Sequence, residues 1–242
     1  MKIIAKTDIG LVRSTNEDTY TYLVKDENNF MAFVCDGMGG HLGGSYASSK
    51  TVEFLNEAFE KLEPTNPVKN LGVWLFDVLQ SANEFIYEQS LANENLKGMG
   101  TTVSGVVVLN GEIYYAHIGD SRIYAYSKND LQQVTTDHTY VNQLLLNGLI
   151  TFKQAQKHPK RHVLTNALGI KRKVSVDIGQ IKLKDDENLL ICSDGVYNLL
   201  DRKKMMKLLN EEIDIELKIN MIKEKVLSLG GTDNLTLILL EK

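Results

Sequence analysis

Cysteine, proline and tryptophan are scarce in this 242-residue chain, at two, three and one residue. Two cysteines cannot build a disulfide scaffold or a cysteine-rich metal site. Cys35 and Cys192 each fall inside an apolar run, so both read as small core hydrophobes, reduced and unpaired. No apolar run approaches the roughly 18 residues that a membrane span needs. Basic residues are not in excess: 27 Lys and Arg face 31 Asp and Glu, for a net charge of −4, without a dense basic stretch. A nucleic-acid partner is therefore not expected. Met1 to Ala5 are followed at once by Lys6 and Asp8, which leaves no signal-peptide core and points to the cytoplasm.

What is present is a series of short apolar runs punctuated by turns. Residues 3–7, 19–24 and 30–35 read as strands, and 43–62 as a helix with Ala47, Thr51, Leu55 and Phe59 on one stripe. Pro64 and Pro67 mark a break, with Pro67 suited to the first turn of a second helix carrying Leu71, Leu75, Leu79, Ala82 and Ile86. Strands at 101–109 and 112–118 flank Asn110-Gly111, a hairpin signal. Residues 121–126 and 131–135 extend the meander. Val103 to Leu109 is apolar at both parities, so this strand is covered on both faces. Further strands are expected at 174–181, 188–192 and 235–240. Helices are expected after Asp201 as N-cap and over 215–229. The fold expected is α+β: a sandwich of two antiparallel sheets with helices on both outer faces. There is no repeat or long linker, so 1–242 reads as a single domain. Residues 138–165, a short helix, a turn and a polar stretch around Pro159, interrupt the strands as a candidate mobile flap.

Four aspartates stand where apolar runs meet Gly-rich turns: Asp36, Asp120, Asp194 and Asp233. Asp-Gly is a turn signal in its own right, so each alone is ordinary. Repetition, with Asn16-Glu17-Asp18 at another strand start, is not. Carboxylates gathered on strand ends repel unless a cation sits among them, and all-oxygen sites suit hard ions such as Mg²⁺ or Mn²⁺. The chain reads as a metal-dependent enzyme. The glycines around Asp36 lack the Gly-Lys-Ser/Thr ending of a nucleotide P-loop.

The ordered set Gly10 to Asp18, Cys35 to His41, Gly98 to Thr102, Gly119 to Arg122, Asp137-His138, Cys192 to Gly195 and Gly231 to Asn234 resembles the type 2C (PPM) protein phosphatases, in their compact bacterial form. The resemblance spans nearly all of Gly10 to Leu240. It implies hydrolysis of phosphoserine and phosphothreonine on proteins by water held between two Mn²⁺ or Mg²⁺ ions, opposing a Ser/Thr protein kinase. In that pattern Asp36 bridges both ions, Asp194 and Asp233 complete one, and the Gly37 carbonyl serves the other. Glu17 and Asp18 act through metal-bound water or hydrogen bonds, and Asp120 joins Asp194 at a third metal site. Arg13 matches the phosphate-holding arginine, whose planar fork grips two oxygens. Arg122 orients the Asp120 turn. His41 is the candidate proton donor to the leaving group. It stands three residues beyond the place, here Met38, where eukaryotic members carry their histidine, and its alternative is an ordinary loop histidine. Ser45 replaces a Glu found in many relatives. Two competing readings are a non-catalytic phosphoprotein-binding relative, against which the intact Asp36, Asp194 and Asp233 speak, and a two-metal nuclease, against which the acidic charge speaks. A monomer acting on phosphorylated proteins, away from membranes, is expected.

Overall fold

The computed structural model describes residues 1–40, 42–63 and 70–242. Eleven strands among these form two antiparallel sheets. One sheet has β2 (Asp18–Asp26), β3 (Asn29–Met38), β5 (Val103–Leu109), β6 (Glu112–Ile118) and β9 (Asp177–Ile181) side by side, with β4 (Gly100–Thr101) pairing the end of β3. The other runs β1 (Lys2–Asp8), β11 (Leu235–Glu241), β10 (Asn188–Cys192), β7 (Arg122–Tyr126) and β8 (Leu131–Gln133) in that order.

Side-chain alternation generates the layers. Along β3, Phe30, Ala32 and Val34 point between the sheets, where they meet Val106, Val108, Ile191, Ile238 and Leu240. Met31, Phe33 and Cys35 point outward into a core under α1 (Gly43–Glu60) and α2 (Leu71–Ala92). The second sheet sends Leu190, Cys192, Leu237 and Leu239 outward under α6 (Arg202–Leu209) and α7 (Ile215–Ser228). β5 is buried at every position, as its unbroken apolar run requires of a central strand covered twice. Gly105 interrupts that run because a Cβ there would come within 2.2 Å of the Phe33 ring. The expected four-layer α-β-β-α sandwich is the observed one.

The elements differ from expectation in a few places. The strand expected over 101–109 is broken at Thr102, whose N–H turns to the Asp36 carbonyl (2.8 Å) while its hydroxyl accepts from the Asp36 N–H (2.9 Å). α2 begins at Leu71, capped by the Asn70 side chain on the Val73 N–H; Pro64 and Pro67 lie outside the described residues. The stretch 138–165 holds two helices rather than one, α3 (Tyr140–Leu146) and α4 (Phe152–Lys157). The second carries a capping box of Thr151 and Gln154, a Thr-x-x-Gln signal present in the sequence and passed over. The one-turn α5 (Asp194–Tyr197) was also missed. Asn110 (φ 52°) and Gly111 (φ 80°) make the β5–β6 turn, and Asp201 caps α6 through the Lys204 N–H.

Cys35 and Cys192 are free and buried, as expected. Cys192 faces the α6–α7 core, because α5 begins at Asp194 and strand alternation does not carry across Ser193. The two thiols lie in the two outer cores, on opposite sides of the sandwich.

Candidate active site

Antiparallel pairing brings all the predicted acids to one end of the sandwich. β2 starts where β3 ends, and the ladder sets Asp18 opposite Asp36. The β6–β7 turn, carrying Asp120, crosses from one sheet to the other. β10 ends beside the start of β11, which places Asp194 near Asp233. A cavity of about 1070 Å³ opens there and is lined by Glu17, Asp36, Asp120, Asp194 and Asp233 together with Arg13. Gly37 also lines it. Its place is strict, since a Cβ would fall 2.3 Å from the Gly44 carbonyl oxygen.

Burial and mutual repulsion raise Asp18, Asp36, Asp120 and Asp194. Asp36 is held well above the ordinary carboxylate range, by desolvation first and then by Asp18, Asp194, Asp120 and Asp233. Burial, Asp194 and Asp137 do the same to Asp120. Asp194 is pushed up to about 7 by burial, Asp233 and Asp18. Asp18 lies behind the cavity wall, 6% exposed. Burial lifts it to about 6 although Ser193 donates to its Oδ2 at 2.7 Å. Its Oδ1 has no hydrogen-bond partner among the described residues. An orphaned buried oxygen costs about 1–3 kcal/mol, and five carboxylates around one cavity compound the cost. A divalent cation with its waters would relieve both, so the donor set fits hard-metal binding.

Among the described residues, however, no three His, Cys, Asp or Glu side chains already close on a common ion position. Repulsion sends the acids to protein donors. Asp233 takes Arg13 Nη2 at 2.8 Å, Asp194 takes Asn198 Nδ2 at 3.0 Å, and Asp18 takes Ser193. Arg13, the expected phosphate-holding arginine, stands on Asp233 in this structure, with its side chain 54% exposed.

Several residues that hold the site together had been missed. Buried Asn234 accepts from the Glu17 N–H (3.0 Å) and donates to the Ile9 and Thr15 carbonyls (2.9 Å each), stitching the arm that carries Arg13 to the turn that carries Asp233. It was legible only as the last residue of Gly-Thr-Asp-Asn. Tyr197 Oη donates to the Asp120 carbonyl at 3.0 Å, linking α5 to the Asp120 turn. Arg122 stacks on the Tyr197 ring, 3.5 Å from its centroid, and forks onto Asp137 (2.6–3.1 Å). The expectation that Arg122 orients this turn holds in that indirect form. His138 receives the Gly119 N–H on Nδ1 (3.1 Å), so its Nε2 carries the proton toward Asp177 (3.0 Å). Ser45 Oγ reaches the Asn16 carbonyl (3.4 Å). His162 joins the cavity, its Nδ1 3.9 Å from Asp194 Oδ2. His41 lies outside the described residues.

Comparison with known proteins agrees with the fold. The model of the family described as "Protein phosphatase 2C" matches residues 12–221. The chain is 33% identical over 237 residues to a serine/threonine phosphatase stp of Listeria welshimeri, covering 98% of this chain and 94% of that protein. It is 32% identical over 241 residues to protein phosphatase PhpP of Streptococcus pneumoniae, covering 99% and 96%. The crystal structure of serine/threonine phosphatase Stp1 from Staphylococcus aureus superposes with a TM-score of 0.92 at 32% identity, covering 100% of this chain and 94% of that one.

Proposed function

The chain belongs to the protein phosphatase 2C family, and from that premise we propose that it hydrolyses phosphoserine and phosphothreonine on proteins, using Mn²⁺ or Mg²⁺ held in the acidic cavity. The observation that carries this reading is the convergence of five carboxylates and Arg13, drawn from separate chain segments, on a single cavity. Members of the family are metal-dependent. In this reading Asp36, Asp194, Asp233 and the Gly37 carbonyl would hold the core ions, with Asp36 common to both. Glu17 and Asp18 would act on the metal-bound water, and Asp120 with Asp194 would hold a third ion. When bound, such ions supply Lewis acidity toward the phosphoryl oxygens and an attacking water of lowered pKa.

The remaining work falls to the chain. Its bond to Asp233 uses one of the five guanidinium N–H groups of Arg13, and an incoming phosphate is met by the others. Asn234, Tyr197 and the Thr102 hydroxyl hold the acid-bearing turns in register. His41 gives a proton to the departing serine or threonine oxygen. The 138–165 stretch acts as a flap over the cleft, of which Leu164 and Thr165 line the wall. The protein works as a monomer in the cytoplasm against a Ser/Thr kinase.

The test is hydrolysis of a phosphothreonine peptide with Mn²⁺ or Mg²⁺ and again with excess chelator. Metal-dependent release of phosphate is expected. No turnover with either ion would leave the phosphoprotein-binding reading in its place.

A further inference from the structure

The cavity that gathers the carboxylates also holds cations with no carboxylate of their own. Arg13 is committed to Asp233, but Lys171 and Arg161 line the same space with no ion pair among the described residues. Lys171 opens the exposed triplet Lys171-Arg172-Lys173, which ordinarily would be a solvated charge run. Two observations set it apart.

The first is that the loop is built rather than loose. Asn83, on α2 and fully buried, spends its whole side chain on it. Oδ1 accepts from the Gly169 N–H at 2.8 Å, and Nδ2 donates to the Lys171 and Arg172 carbonyls at 3.0 and 3.1 Å. Gln80, one helical turn earlier, donates to the Val174 carbonyl at 2.6 Å. The root of the loop is tied to the site itself: Leu168 exchanges both backbone hydrogen bonds with Thr101 (3.0 Å each), and Thr101 pairs with Gly37 in the β3–β4 ladder. Lys171 is thereby fixed in register with the strand end that carries Asp36.

The second is selectivity of placement. Lys171 lines the cavity whereas its neighbours Arg172 and Lys173 do not. A second anion on the substrate would be repelled by the surrounding acids unless a cation met it, and Lys171 is a cation so placed.

We propose that Lys171 forms a second anion subsite, which takes an acidic side chain or a second phosphate close to the phosphate being hydrolysed. This deepens the phosphatase reading and rests on it. A loop backbone fixed before substrate arrives lowers the ordering cost of such a contact, leaving the flexible lysine stem to adapt to more than one anion position.

The experiment measures kcat/KM on matched phosphothreonine peptides. One is neutral apart from the phosphothreonine. In a second set, one neutral neighbour at a time becomes Glu. In a third, the same neighbours become a non-hydrolysable phosphonate analogue of phosphoserine. We expect the best-placed anion to raise kcat/KM by about 3–10-fold at low ionic strength, in the range of exposed to partly buried charge contacts. That ratio should shrink toward unity near 0.3 M salt as screening sets in. Lys171→Glu should invert the ratio, and Lys173→Glu, equal in charge change but off the cavity, should leave it standing. A gain from the phosphonate alone assigns the subsite to phosphate; a gain from both assigns it to anions generally. Equal effects of Lys171→Glu and Lys173→Glu would mean a diffuse field and overturn the subsite. Turnover with no anion preference would sink the subsite alone, whereas no turnover of any peptide would sink the phosphatase reading with it.

Discussion

Replacing Arg13 with alanine separates two roles that the structure superimposes. Arg13 Nη2 sits 2.8 Å from Asp233 Oδ2, with the two side chains 54% and 34% exposed. An ion pair that open to water contributes at most about 1 kcal/mol to folding, so its loss should lower Tm by only about 2–4 °C in a chain of this size. Phosphate grip is a different matter. A charge-assisted hydrogen bond to substrate is worth about 1.5–3 kcal/mol, which predicts a fall in kcat/KM of roughly 10–150-fold. Metal affinity should hold or rise, because Asp233 loses a competing cation. Arg13→Lys should fall between, keeping charge without the planar fork. The assay is phosphopeptide kinetics across a Mn²⁺ titration, with thermal unfolding in parallel. A large Tm drop with collapsed metal affinity would make Arg13 a scaffold residue that holds the Asp233 turn. An unchanged kcat/KM would remove it from the phosphate site.

Asp36→Asn should be the most damaging single change, since Asp36 is the carboxyl on which the fields of Asp18, Asp194, Asp120 and Asp233 converge. Full metal-dependent turnover by that variant would falsify its bridging role. Tyr197→Phe removes the hydroxyl on the Asp120 carbonyl and should cost about 1–3 kcal/mol of stability. It should also raise the Mn²⁺ concentration needed for half-maximal rate, and an unchanged metal titration would limit Tyr197 to a packing role. His41→Ala should slow phosphopeptide hydrolysis by about 10²-fold and p-nitrophenyl phosphate far less, because nitrophenolate leaves without a proton. Equal losses on both substrates, or the same selective loss in His162→Asn, would take the acid role away from His41.

The elements were legible where the cause is local. The unbroken apolar runs of β3, β5 and β10, the Asn110-Gly111 turn and the Asp201 cap all follow from a few adjacent residues, and the elements overlap the spans expected for them. The misses have other causes. Thr102 breaks its strand because both its N–H and its hydroxyl are drawn to the backbone of Asp36, 66 residues away in the chain. α4 was passed over because a capping box on a six-residue helix carries little hydrophobic period.

The sequence by itself determined which residues are strand, which face of each is apolar, and that acids stand where apolar runs meet turns. Those properties depend on the alternation of side chains along a strand and on turn chemistry, both of which act over a few residues. Only the tertiary structure decided which acids share a cavity and what else enters it. The β2–β3 ladder set Asp18 against Asp36, and the crossing from β6 to β7 carried Asp120 across to the second sheet. Arg13 met Asp233 across 220 residues of chain, and Asn83 reached over 86 to 89 residues to aim the Lys171 loop. It also decided that Cys192 faces the helices and not the site. The physical reason is that a periodic pattern says which side of an element must be covered, but not by what. The partner is chosen by the packing of whole layers, and these long-range contacts exist only once the two sheets have closed on each other.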